Sequence, residues 1–164
     1  MFELREDLNP ALVGLAWLIG HWEGEGKRQL PGLEPEEFGV SVDFAENGGD
    51  YLHYLAQYFT RDGEGRPQAP LTMETGFWRA FPDATVEALL TSPEGYLDLW
   101  AGKLQGGRID LVTDTVIRSV SAPEPYTGGR RLYGNVEGKL MFAFDRATED
   151  HPMSDYLWAT LERA

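Results

Sequence analysis

The sequence predicts an all-β protein, a ten-stranded antiparallel up-and-down β-barrel with a short N-terminal helix. Three observations carry that prediction. The clearest helical spacing of apolar residues comes first in the chain. From Trp22 onward the apolar period is two, in about ten short runs. Tight-turn signals, not helices, separate these runs, so consecutive strands pair as antiparallel hairpins. So many strands in 164 residues remove their edges by closing on themselves.

The helix is expected first. Asn9 is a capping residue, Pro10 suits the first helical position, and Leu8, Ala11, Leu12, Leu15, Ala16 and Ile19 recur at helical spacing before Gly20 stops it. Gly14 costs about 1 kcal/mol relative to Ala, so the helix depends on docking its apolar face, as a lid or plug. The second strand shows the new period plainly: Phe38, Val40, Val42 and Phe44 alternate with Gly39, Ser41 and Asp43. Further strands are expected at Tyr51–Thr60, Leu71–Ala80, Thr85–Thr91, Gly95–Ala101, Ile109–Ile117, Arg130–Val136, Leu140–Asp145 and Tyr156–Arg163. Asp62-Gly63, Gly106-Gly107 and Glu137-Gly138 mark turns between them.

Composition narrows the function classes. Apolar residues make up 42% and charged residues 25%, as in globular chains, and a single domain over residues 1–164 is expected. Lys and Arg number 14 against 27 acidic residues, a net charge of -13 that repels nucleic acid and anionic membrane surfaces. With no Cys, disulfides, thiolate catalysis, zinc ribbons and iron–sulfur clusters are excluded. The opening MFELREDLNP is acidic where a secretory signal starts basic, and no run of about 18 apolar residues occurs, which predicts a soluble cytoplasmic protein.

A closed barrel of this size has an interior wide enough for one small ligand, so function is expected inside it. The alternative is a barrel filled by its own side chains that binds only at its surface. In Gly20-His21-Trp22-Glu23-Gly24-Glu25-Gly26, strand alternation puts Gly20, Trp22, Gly24 and Gly26 on one face. This predicts a bent first strand whose Trp plugs the barrel end, in preference to a gap where a ligand meets backbone. A phosphate loop is the poorer reading, because the Lys-Ser/Thr ending and the following helix are both missing.

Taken in order, this G-x-W-x-G-x-G run, Leu30-Pro31, the stretch Leu71-Thr72-Met73-Glu74-Thr75-Gly76-Phe77-Trp78-Arg79 and the C-terminal segment His151 to Arg163 resemble the nitrobindin family. The resemblance spans nearly the whole chain. Members are similar to fatty-acid-binding proteins and other calycins, and the resemblance implies a ten-stranded barrel that holds haem and, in its ferric form, converts peroxynitrite to nitrate. The family's haem-binding His lies in a segment of the form P-[LM]-T-x-H-L-x-A-x-L-x-R. In the matching Pro152–Arg163 segment that position is Tyr156. In the family's L-H-x-E-x-G segment, Thr72 stands in place of the His.

Neutral imidazole binds iron at physiological pH, whereas a phenol with a reference pKa near 10 must first lose its proton, which needs a nearby base or cation. The sequence points to no such helper, since Asp155 alternates away from Tyr156. Strand parity also places Leu157, Ala159 and Leu161 on the face opposite Tyr156, so only a bulge or a place at the barrel mouth turns Tyr156 inward. His21, His53 and His151 all miss the ligand position and are expected as surface or packing residues, so no metal site is expected. Glu36-Glu37 and Glu149-Asp150 are expected as solvated charge, the first pair in a loop, and G-x-S-x-G and H-E-x-x-H are absent.

The candidate cavity residues are therefore Thr72, Glu74 and Tyr156, with Glu74 as an inward polar group. The expected function is a nitrobindin-like barrel with a cavity for a small apolar or mixed ligand and no His-held haem, which puts the family's peroxynitrite activity in question. The alternative is a haem-binding peroxynitrite isomerase that uses Tyr156 or no protein ligand. Nucleic acid and membrane are not expected as partners, and a homodimer is compatible with the sequence. At the barrel end, Arg163 of the last strand is expected over Trp22 of the first, as a basic residue covers the Trp of G-x-W in lipocalin-like barrels.

Overall fold

Ten strands follow a 3-10 helix over Pro10–Leu18: β1 (Gly20–Arg28), β2 (Glu36–Ala45), β3 (Tyr51–Arg61), β4 (Pro67–Ala80), β5 (Thr85–Ser92), β6 (Tyr96–Gln105), β7 (Arg108–Arg118), β8 (Tyr126–Val136), β9 (Lys139–Thr148) and β10 (Ser154–Arg163). The computed structural model describes residues 7–123 and 126–164. Residues 1–6, on which part of the reading of the N-terminus rests, lie outside them. Each strand pairs antiparallel with the next, and β10 returns to β1 to close the barrel. The ladder has no open edge, which is what the hairpin rhythm of the sequence requires. At Glu137-Gly138 both residues have positive φ, 54° and 84°, the geometry of a two-residue hairpin whose twist matches its strands.

The helix is tighter than its sequence spacing suggests. Leu12, Leu15 and Leu18 are fully buried, and their separation of three residues is the 3-10 period rather than the α period. The Asn9 side chain accepts from the Ala11 N–H at 3.0 Å, as expected of a cap. These leucines join the same core as Trp22, Val42, Leu52 and Trp78, so the helix closes one end of the barrel.

Trp22 is the centre of that closed end. It is 1% exposed, and its indole N–H donates to the Leu18 carbonyl at 2.7 Å. The Arg163 guanidinium lies 4.2 Å from the Trp22 ring centroid and donates to the carbonyls of Trp17, at 2.9 Å, and Ile19. First strand, last strand and helix are thus tied at one point, across 146 positions of sequence. Gly24 and Gly26 sit where an added Cβ would strike the β10 backbone at Thr160 and Trp158. Their role is close approach of β10 to β1, and the gap for a ligand is not formed there.

The expected strand ranges are all occupied, several extended by a few residues. One assignment is corrected: Glu36 and Glu37 begin β2 and are not in a loop. Glu36 pairs with Arg28 at 2.6 Å and Glu37 with Lys27 at 3.9 Å, because the β1–β2 register sets each acid opposite a base.

Candidate functional site

The end opposite the helix is open, and there the strand ends surround a cavity of about 220 Å3. β1 ends at it with Arg28, β4 begins beside it with Leu71, Thr72 and Glu74, and β9 brings Arg146. Tyr156 and Leu157 of β10 both line it. Two successive residues of a regular strand point to opposite faces, so this requires an irregularity. The β9–β10 register shifts between Asp155 and Leu157, and that bulge turns Tyr156 inward without sending Leu157 out. The parity conflict in the sequence is resolved by one extra residue.

Tyr156 is not alone. Its ring stands edge-on to Phe144 at 5.3 Å, the Arg146 guanidinium lies 3.9 Å from its centroid, and Arg28 sits beside its phenol. The expectation that no cation helps the phenol is corrected: two arginines flank it, one from β1 and one from β9. Arg28 reaches β10 only through barrel closure, whereas Arg146 reaches it across the β9–β10 hairpin.

Deeper in the cavity lies a buried ion pair. Arg131 of β8, 4% exposed, donates to both carboxylate oxygens of Glu74 at 2.6 Å and to the Tyr133 hydroxyl at 3.2 Å. Its guanidinium is also packed against Trp100, at 4.5 Å, and Phe144, at 4.3 Å. Burial works against the charge on Arg131, but Glu74 together with Tyr133 and Tyr54 holds the guanidinium pKa well above its ordinary value. Glu74 is therefore the inward polar group that its place in an apolar strand suggested.

Asp98 of β6 completes the floor. It is 7% exposed, and burial raises its pKa to about 6, with Arg131 opposing and Glu74 adding to the rise. Asp98 Oδ1, the Tyr126 hydroxyl and Arg131 Nε all lack hydrogen-bond partners. Thr72, Glu74 and Tyr156 thus come together as cavity residues, while Gly20 and Trp22 belong to the opposite end and Gly24 and Gly26 to the β1–β10 seam between the two. Arg28, Asp98, Tyr126, Arg131 and Arg146 were missed. For Asp98 and Arg131 a signal existed, since each alternates with aromatic residues at inward positions: Tyr96 and Trp100 around the first, Tyr133 after the second.

The three histidines lie elsewhere. His21 bonds Asp43 at 2.6 Å and Glu23 at 3.1 Å on the outside of the barrel, and His53 contacts Thr75 at 3.0 Å. His151 is exposed in the loop before β10. No cluster of three His, Cys, Asp or Glu suited to a metal ion occurs among the described residues.

Comparison with known proteins bears on what such a cavity holds. Residues 11–163 match the family model of the THAP4-like, heme-binding beta-barrel domain. The chain is similar to a ferric nitrobindin-like protein of Cutibacterium acnes, with 53% identity over 164 residues and 99% of each chain covered. It is also similar to a protein of a Nocardioides species named peroxynitrite isomerase, with 41% identity over 99% of this chain and 98% of that one. Among solved structures, Rv2717c from M. tuberculosis shares the fold with a TM-score of 0.82 at 29% identity, covering 96% of this chain and 99% of that chain.

Proposed function

The chain belongs to the nitrobindin family of THAP4-like haem-binding β-barrels, and from that premise we propose that its open-end cavity binds a compact molecule of mixed polarity and no histidine-held haem. The observation that carries this reading is Tyr156, turned into the cavity by the bulge; the resemblance of Pro152–Arg163 to the family's C-terminal segment aligns this residue with the haem-binding His. No His is among the described residues that line the cavity, so the donor set does not fit haem held by a neutral imidazole. The lining offers both characters a mixed ligand needs: Leu71, Phe144 and Leu157 on the apolar side, Thr72 and Asp98 on the polar side. The activity in the name of the Nocardioides relative is not carried over to this chain.

A second reading, ferric haem held through Tyr156, is favoured by one observation. Arg28 and Arg146 flank the phenol, two cationic groups beside the oxygen that would hold the iron. Titration with hemin, followed by absorbance, separates the two. The first reading predicts a broad band with no saturation at one equivalent. A sharp Soret band that saturates at one equivalent and disappears in Tyr156→Phe establishes the second, and a sharp band indifferent to that substitution contradicts both.

A further inference from the structure

Among the described residues the cavity floor holds two acids against one base, Glu74 and Asp98 against Arg131, whose charge also acts on Asp98. Glu74 and Arg131 cancel through their two-point contact. Asp98 remains, in no ion pair among the described residues and with Oδ1 unpartnered. Its register neighbours, Leu90 on β5 and Val116 on β7, bring it no charge. The groups that face it from further round the barrel are Glu74, Arg131 and Tyr126. Beside it, the rings of Tyr96 and Tyr126 stand at 90° with centroids 5.4 Å apart, and both line the same cavity.

We propose that this corner binds a compact organic cation, a protonated primary amine, with its ammonium group on Asp98 and its carbon body against Tyr96 and Tyr126. A carboxylate taken out of water without a counter-charge is costly, and a cation is the complement that removes the cost. Aromatic faces attract the same charge, and the net charge of -13 concentrates cations around the whole chain. The arginines of the cavity leave the site to the ligand: Arg131 is engaged by Glu74, Arg28 by Glu36, and Arg146 lies over Tyr156. With a pKa of about 6, Asp98 is ionised at neutral pH and becomes neutral as the pH falls below that value.

This inference rests on the reading of the open end as a small-molecule cavity, and the test separates the two. Benzylammonium, benzyl alcohol and benzoate are titrated into the protein by calorimetry at about pH 7.5, as cation, neutral molecule and anion of one shape. Benzylammonium is expected to bind one to one and about tenfold or more tighter than either of the others. Its affinity should fall towards about pH 5, where Asp98 takes up a proton and the amine keeps its own. In Asp98→Asn the preference for the cation should vanish while benzyl alcohol binds as before; the pH series in the unsubstituted protein gives the same information independently of that variant. Equal affinity for amine and alcohol, preference for benzoate, a preference that survives at about pH 5 or one that survives in Asp98→Asn overturns the cation site but leaves the cavity reading intact. Failure of all three probes to bind overturns both.

Discussion

The two ends of this barrel use their polar groups in opposite ways. At the closed end, the Trp22 indole and the Arg163 guanidinium donate to carbonyls of the helix and its exit, and so fix one geometry. At the open end, Asp98 Oδ1, the Tyr126 hydroxyl and Arg131 Nε are buried without partners around a cavity. Buried polar atoms without partners cost stability, and although the Trp17 and Trp78 indole N–H groups are also unpartnered, those of the open end lie around a cavity in which a ligand can reach them. The β1–β10 seam joins the two: the same strand pair that starts at the Trp22 plug ends beside Tyr156.

The sharpest way to break the closed end is Trp22→Ala. It removes the largest side chain of the plug together with its hydrogen bond, and a loss of about 3–5 kcal/mol is expected in urea melts. The corresponding break at the open end is Arg131→Met, which leaves the Glu74 carboxyl group buried and without its partner and is expected to cost about 3 kcal/mol. Adding Glu74→Leu should recover most of that loss. If the double variant is instead as unstable as the single, the pair contributes through packing on Trp100 and Phe144 and not through charge.

Much of this contrast could be read in the sequence, and what could not has a common cause. The ten strands, the helix and the meeting of Trp22 with Arg163 follow from period, turn residues and closure, because each is local or fixed by topology. Glu74 could be picked out as an acid within an apolar strand. The inward turn of Tyr156 could not, since the bulge at Asp155–Leu157 breaks the alternation on which parity depends. Arg28 and Arg146 were invisible for a different reason. Arg28 meets Tyr156 across the β1–β10 closure and Arg146 across the β9–β10 hairpin, but which way each side chain turns at its strand end depends on the bulge, and that leaves no periodic trace.

Acid titration sharpens the comparison, because the open end should be the part that grows more stable as protons are added. Asp98 has a folded pKa of about 6, above its unfolded value of 3.8. The native state therefore binds the proton more tightly, and the Asp98 contribution is fully favourable below pH 3.8 and is lost as the pH rises through about 6. Asp98→Asn should accordingly stabilise the ligand-free protein by about 3 kcal/mol at neutral pH, and by almost nothing below about pH 4. A constant difference between the two melts across that range would show that Asp98 does not titrate in this window.

The smallest expected effect belongs to the closed end. Arg163→Ala should cost about 1 kcal/mol, the sum of a partly exposed cation–π contact and its hydrogen bonds. Because Arg163 acts on the Trp22 ring and on its helix anchor, the loss in Trp22→Ala with Arg163→Ala should be less than additive. Strict additivity would separate the two side chains in energy despite their 4.2 Å contact.

The central claim is that Tyr156, at the cavity's edge, stands where the family's haem ligand stands and withholds a neutral nitrogen donor from it. Parallel hemin titrations of the protein and of Tyr156→His test this most directly. The unsubstituted protein should give a broad, unsaturated band, and Tyr156→His a sharp Soret band complete at one equivalent, because the imidazole supplies the donor at the same bulged position. Identical spectra from the two proteins, whether both sharp or both broad, would contradict the claim that this single position decides haem binding.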